Sequence, residues 1–428
     1  MSNPIRIGIA GLGTVGAGLI KIIQKNSNIL EARAGKPIKI IAVSALSKSK
    51  DRGVDLTAYE WEDDPIALAK RDDIDVFVEL IGGESGQAKK ATEEAIKHGK
   101  HVVTANKAML AIHGQELASA AENSGVNLRF EAAVAGGIPV IKTLTESLAG
   151  NNITRIMGVM NGTCNYILTR MEDTGLAYEE IFEEANQLGF LEADPNLDVG
   201  GIDAAHKLVL LSSIAYGTQV DFNGAILEGI GRITIEDIKA ASEMGYRIKL
   251  LGVSSLSDSG LSQTMRPCLV PLTSPLAQLN GGTNMIIIEG DAVGQIVLRG
   301  AGAGEGPTAS AVIADILDIA RGINIPVFGQ SANSLIKVPA ISTSVENSFY
   351  LRLNLKDEAG ILAKVSAALA NVGISIDRIR QEGHEKDAAP VIIVTHPTDR
   401  DTLNKAISEI EETSAAIDPP VVLRIESV

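Results

Sequence analysis

The chain is poor in aromatic residues, in cysteine and in positive charge, and each shortage excludes a class of protein. Phe, Trp and Tyr together make up 3% of 428 residues, so cores must be built from Ile, Leu, Val and Ala. Cores of that kind suit close α/β packing. The two cysteines, Cys164 and Cys268, lie far apart and match neither a metal-binding nor a disulfide pattern, as expected in a reducing cytosol. The histidines show no metal spacing either. A net charge of −15 argues against nucleic acid or an anionic membrane surface as partner. No apolar run approaches a membrane span. A strand, IRIGIAG, already runs from residue 5, where a signal peptide would still be in progress. A soluble cytoplasmic protein is expected.

What the chain has is length, glycine and aliphatic side chains, enough for about two to four domains. Residues 1–135 alternate short strands with helical runs such as Ala88–His98 and Gly114–Ser124. The strands are IRIGIA (5–10), IKIIAV (38–43), DVFVELI (75–81), HVVTA (101–105) and LRFEAAV (128–134). That alternation predicts a parallel sheet covered by helices on both faces, a Rossmann-type dinucleotide-binding domain. Residues 136–308 mix longer helices with strands such as TRIMGVM and NMIIIEG, an α+β pattern. A helix over Ala309–Arg321, in a segment reaching about residue 330, is expected to return to the first domain. Residues 347–428 read βαββαβ, an independent ferredoxin-like module.

The first strand runs into GLGTVG, with Gly11, Gly13 and Gly16 opening a helix. Glycine there permits a tight turn, close approach to a pyrophosphate and close helix packing, and the helix N-terminus offers free N–H groups. Dinucleotide binding through Gly11, Leu12, Gly13, Thr14, Val15 and Gly16 follows. The second strand ends Val43-Ser44-Ala45, without the acid that would hold a ribose 2′-hydroxyl, and Lys48, Lys50 and Arg52 come next. This favours NADP(H), with NAD(H) still possible.

The most unusual stretch is Gly189 to Lys207, GFLEADPNLDVGGIDAAHK, which enters the apolar run LVLLSSIAYG. Asp203 and Lys207 stand four apart, on one face of a helix that offers little solvated surface. Buried charges need partners, and titratable groups of that kind cluster where chemistry is done. Thr104-Ala105-Asn106-Lys107 follows the HVVTA strand, at the carboxyl edge of the sheet where ligands of such folds bind. Asn161-Gly162-Thr163 reads as a turn facing substrate, and 300–308, GAGAGEGPT, as a second glycine-rich loop.

Taken together these stretches resemble homoserine dehydrogenase. They are GLGTVG, VELIGG (78–83), TANKAML (104–110), EAAVAGGIP (131–139), NGTCNYIL (161–168), LGFLEADPNLDVGGIDAAHKL (188–208), GYRIKLLG (245–252) and GAGAGEGPTASAV (300–312). The resemblance implies interconversion of L-homoserine and L-aspartate 4-semialdehyde with a nicotinamide cofactor, in a single-function enzyme that is a homodimer or homotetramer. It implies that Glu192, Asp203 and Thr163 bind substrate. Lys207 would be the proton donor, with Lys107 beside the nicotinamide and the reacting oxygen. The division of proton transfer between the two lysines stays open. Gly189 and Gly304 would approach the cofactor. A sodium ion would be held by Glu131 as the acidic ligand, with carbonyls of Val134, Gly136 and Ile138. The tail, with Asp357-Glu-Ala-Gly360-Ile-Leu362 between strand and helix, resembles an ACT domain, which implies feedback control by L-threonine. Two other readings are another ACT-bearing dehydrogenase of amino or hydroxy acids and a non-catalytic amino-acid sensor. Retention of Lys107, Asp203 and Lys207 speaks against the second.

Overall fold

The computed structural model describes residues 3–191, 194–342, 346–381 and 388–428. Among these, six parallel strands form the first sheet. Their order is Glu60–Glu62, Ile38–Ser44, Ile5–Ala10, Val76–Glu79, His101–Thr104 and Leu128–Arg129. The order reverses between Ile5–Ala10 and Val76–Glu79, and the crevice beyond their carboxyl ends is where such sheets bind ligands. Two details differ from the sequence expectation. Glu60–Glu62 is an extra edge strand, and the strand expected over 128–134 stops at Arg129, where a 3-10 turn, Glu131–Ala133, takes over.

The helix Thr14–Ala34 covers this sheet, and Glu305–Arg321 packs beside it. Their shared core is aliphatic: Ile7, Leu19 and Ile20 meet Val312, Ile316 and Ile319. The chain thus leaves the first sheet after Leu128–Arg129 and comes back with a helix.

The second sheet has eleven strands among the described residues. Its main path is Gly294–Ala301, Thr283–Gly290, Ile153–Val159, Tyr246–Ser257, Gly260–Pro271, Val421–Ile425, Phe349–Lys356, Ala388–Thr395 and Ile376–Gln381. The helix Ile202–Tyr216 lies across Tyr246–Ser257 and Gly260–Pro271, with every residue from Asp203 to Ser213 buried. A helix apolar over most of its surface belongs in such a place, and its buried charges stand out there.

The tail is βαββαβ as expected, but its sheet is not separate. Val421–Ile425 pairs antiparallel with Phe349–Lys356 and parallel with Gly260–Pro271, so one strand serves both domains. Alternation along Phe349–Lys356 divides its side chains between two partners. Phe349, Leu351, Leu353 and Leu355 face the helices Ile361–Asn371 and Arg400–Glu412. Tyr350 and Arg352 face the helix Ile235–Glu243 and donate to the buried carboxylate of Asp237, at 2.8 Å from Tyr350 Oη and 2.7 Å from Arg352 Nε. Asp237→Ala strands a largely buried guanidinium and a phenol, so it should cost about 3–5 kcal/mol. Equilibrium urea unfolding measures this; a loss under about 1 kcal/mol would show that the joint is held elsewhere.

Both cysteines are buried and unpaired. Among the described residues no helix is long and apolar enough to cross a membrane.

Candidate active site

Lys107 opens the helix Lys107–Asn123, a position where the helix dipole disfavours a cation. A chain of hydrogen bonds puts it there. Glu79, fully buried at the end of its strand, accepts from Thr104 Oγ1 at 2.5 Å and from the N–H groups of Ile81 and Gly82. Thr104 Oγ1 accepts from Asn106 N, while Asn106 donates to Gly83 O and caps the helix at Met109 N. The carboxyl ends of two adjacent strands are thereby locked, and Lys107 projects from the locked corner. Its Nζ lies 2.7 Å from Asp203 Oδ1.

Asp203 stands in the first turn of its helix, where a carboxylate is favoured. Its other oxygen, Oδ2, accepts from Lys207 Nζ at 2.7 Å, so one carboxylate bridges both lysines. Burial alone would raise its pKa, but the charges of Lys207 and Lys107 outweigh this and hold it well below the ordinary carboxylate value. Lys207 is 7% exposed and also donates to Met160 O at 2.8 Å. Two of its three N–H groups are thus spent on protein acceptors among the described residues. The third is available to a substrate oxygen.

These groups line a cavity of about 550 Å³ whose wall also includes Val15, Gly136, Thr163, Gly189, Gly304 and Asn284. A second cavity, of about 370 Å³, lies across the glycine loop and is lined by Gly11, Leu12, Gly13, Ser47, Lys50, Arg52 and Asp63. The helix behind the loop starts at Gly13 without a side-chain cap, which leaves first-turn N–H groups open to an anion. Gly11 has φ 99°, and a Cβ there would sit 2.3 Å from Leu80 O. Thr14 and Gly16 line neither cavity. Of the three bases expected near a 2′-phosphate, Arg52 donates to the carbonyls of Leu12, Ser47 and Lys50 and so shapes the wall, and Lys48 lies over the Trp61 ring.

Thr163 donates through its hydroxyl to Phe190 O at 3.0 Å and so ties the NGT turn to the loop carrying Gly189. Glu192 lies outside the described residues. His206 packs its ring on Phe222, with centroids 4.5 Å apart. At the expected cation site the acidic ligand already has partners. The Glu131 carboxylate accepts from Ile141 N and Lys142 N, so it caps a helix start. Burial, then the charge of Asp315, pushes its pKa up to about 8. Each oxygen keeps a further lone pair, so these bonds engage Glu131 without removing it from the expected cation site, where carbonyls would complete the set. The loop supports that much. Ala135 and Gly136 have φ of 56° and 51°, and among the described residues the carbonyls of Val134 and Gly136 accept no backbone hydrogen bond.

Sequence reasoning passed over Asp198, Asn284 and the side-chain role of Asn161. Asp198 is 4% exposed, lines the larger cavity and accepts from Asn161 Nδ2 at 2.8 Å. Asn161 also caps its own helix at Cys164 N. Asn284 is buried with Oδ1 unpartnered among the described residues. An acid inside LDVGG, five residues before Asp203, was the available signal.

Residues 139–317 match the family described as homoserine dehydrogenase, residues 11–131 its NAD binding domain, and residues 349–414 the ACT domain. The chain is 42% identical to a homoserine dehydrogenase of Neisseria gonorrhoeae, across 100% of this chain and 99% of that protein. It is 41% identical to one of Pseudomonas aeruginosa, across 100% of both. A solved homoserine dehydrogenase from Thiobacillus denitrificans superposes with a TM-score of 0.94 at 39% identity, covering 99% of each chain. A hyperthermophilic archaeal homoserine dehydrogenase in complex with NADPH gives 0.63 at 26% identity, covering 74% of this chain and 97% of that one.

Proposed function

The chain belongs to the homoserine dehydrogenase family, oxidoreductases acting between L-homoserine and L-aspartate 4-semialdehyde, and we propose that Lys207 is the group that moves the proton. The observation that carries this reading is the two-sided bridge from Asp203, which fixes Lys207 and Lys107 around one cavity. When bound, the nicotinamide supplies or accepts the hydride. During reduction the aldehyde oxygen gains the proton that the Lys207 ammonium gives up, which leaves a neutral amine; oxidation of the alcohol returns it. Asp203 holds the lysine in line, and Lys107 adds positive charge where the oxygen becomes negative. Asp198, Thr163 and Glu192 complete the substrate's polar contacts.

NADP(H) is the preferred cofactor in this reading. Support comes from Lys50 and Ser47 on the wall of the smaller cavity, at the end of a strand that lacks the acid for a ribose 2′-hydroxyl. A monovalent cation such as sodium would be held by Glu131 with carbonyls of Val134, Gly136 and Ile138, where it would brace the loop beside Gly302. L-Threonine is the proposed effector. Gly360 has φ 89° and opens the helix Ile361–Asn371 without a side-chain cap, which leaves N–H groups for a carboxylate.

One assay tests these points: reduction of NADP⁺ and of NAD⁺ by L-homoserine, with and without L-threonine. A higher kcat/KM with NADP⁺ is expected, with inhibition by threonine that Gly360→Ala weakens through backbone strain. Equal or better use of NAD⁺ removes the 2′-phosphate reading, and full activity in millimolar threonine removes the effector.

A further inference from the structure

A cluster of arginines that the active site does not use lies where the C-terminal module joins the catalytic sheet. Cys268 pairs with Arg424, and Arg424 pairs on its other side with Phe349. Paired residues share a face of a sheet, and Arg266, two before Cys268, shares it too. Arg400, the first residue of the helix Arg400–Glu412, lies over the Phe349 ring at 5.7 Å. Arg266 and Arg424 are 8% and 6% exposed.

Their hydrogen bonds do not close. Nε of Arg266, Nη1 of Arg400 and Nε of Arg424 are buried without an acceptor among the described residues. Glu426 is taken by Arg155 and by Arg424, and Glu289 sits 4.0 Å from Arg155. Glu228 faces Arg266 and Arg400 electrostatically but forms no ion pair with either among the described residues. Four guanidinium groups therefore meet three carboxylates. Burial first, then repulsion from neighbouring guanidinium groups, depresses the pKa of Arg400, and Arg424 acts likewise on Arg266. A buried, uncompensated charge with unmade hydrogen bonds is costly, and a bound anion would relieve both faults at once.

We propose that Arg266, Arg400 and Arg424 form a binding site for one small inorganic oxyanion of the phosphate or sulfate class. The anion would clamp the C-terminal module onto the catalytic sheet. The charge balance selects the class: a zwitterionic amino acid would leave the excess positive charge in place. Donors arriving from two strands and a helix also suit an anion with more than two oxygens. This site is separate from the Gly360 loop and does not depend on the threonine reading.

The test uses the full chain, desalted into chloride buffer. Sodium phosphate or sulfate should raise Tm by about 3 °C or more over sodium chloride at equal ionic strength. Arg266→Gln and Arg400→Gln should each abolish that rise and leave the rise caused by NADPH intact. Crystals soaked in selenate should show an anomalous peak within hydrogen-bond distance of Arg266 Nε, which decides the question even if neither variant folds. The proposal is overturned if no anion-specific rise occurs, or if the rise survives both substitutions, as it would for phosphate at the nucleotide loop. An Arg266-dependent rise with L-threonine alone, or selenate crystals without the peak, would overturn it equally.

Discussion

Lys207→Met is expected to lower kcat about 10³-fold, within the range general acid–base catalysis contributes, while the protein stays folded and binds cofactor normally. Methionine fills the channel of the lysine stem but offers no proton. Lys107→Met should do less, since that residue adds charge near the oxygen and supplies no proton in this scheme. Lys207→Arg should not restore the rate, because guanidinium gives up its proton too reluctantly. Steady-state kinetics in the reducing direction separates these cases. Near-normal kcat in the Met variant would remove Lys207 from proton transfer, and the larger loss at Lys107 would exchange their roles. Acid is not expected to disturb the pair near neutrality. Asp203 has a folded pKa below its unfolded value, so the stability its ion pairs contribute is fully present above about pH 4 and is lost only as pH falls further.

Gly16→Ala should raise the KM for cofactor by roughly 10²-fold, from one methyl group that touches no ligand. A Cβ at residue 16 would lie 2.1 Å from Gly11 O, a backbone atom that cannot swing aside. Either the helix moves off the sheet or the turn at Gly11 opens, and both displace the N–H groups meant for the pyrophosphate. Gly13 makes the contrast. Nothing lies within 4 Å of its added Cβ, so Gly13→Ala should spare the apo fold and act only through contact with the cofactor. Cofactor titration by fluorescence, paired with thermal unfolding of the apo protein, distinguishes the two. Tight binding by the Gly16 variant would mean that the loop adapts more easily than its contacts indicate.

How far the sequence could be read depended on how local the physics was. The strands of the first sheet were visible because each is a short aliphatic run between helical patterns. Glu60–Glu62 was not, since three residues reading EWE carry no period. The strand at Leu128–Arg129 was drawn too long because Phe130, Ala132, Ala133 and Val134 are apolar, yet the Glu131 side chain turns to cap a helix start. Asp203 and Lys207 stood out as charges on an oily helix. Asp198 did not, because an aspartate near glycines reads equally well as a turn. Pairing of Val421–Ile425 with Gly260–Pro271 has no local signature at all. It is a contact between distant parts of the chain, and only assembly shows it.

That shared strand has a consequence for synthesis. Gly260–Pro271 and Phe349–Lys356 are both synthesised before Val421–Ile425, so two edges wait for the strand that joins them. A nascent or prematurely ended chain presents two open strand edges, Gly260–Pro271 and Phe349–Lys356, with Arg266 exposed between them. Such edges recruit other strands. A chain cut short before Val421 keeps both edges open and is expected to aggregate where the longer chain does not.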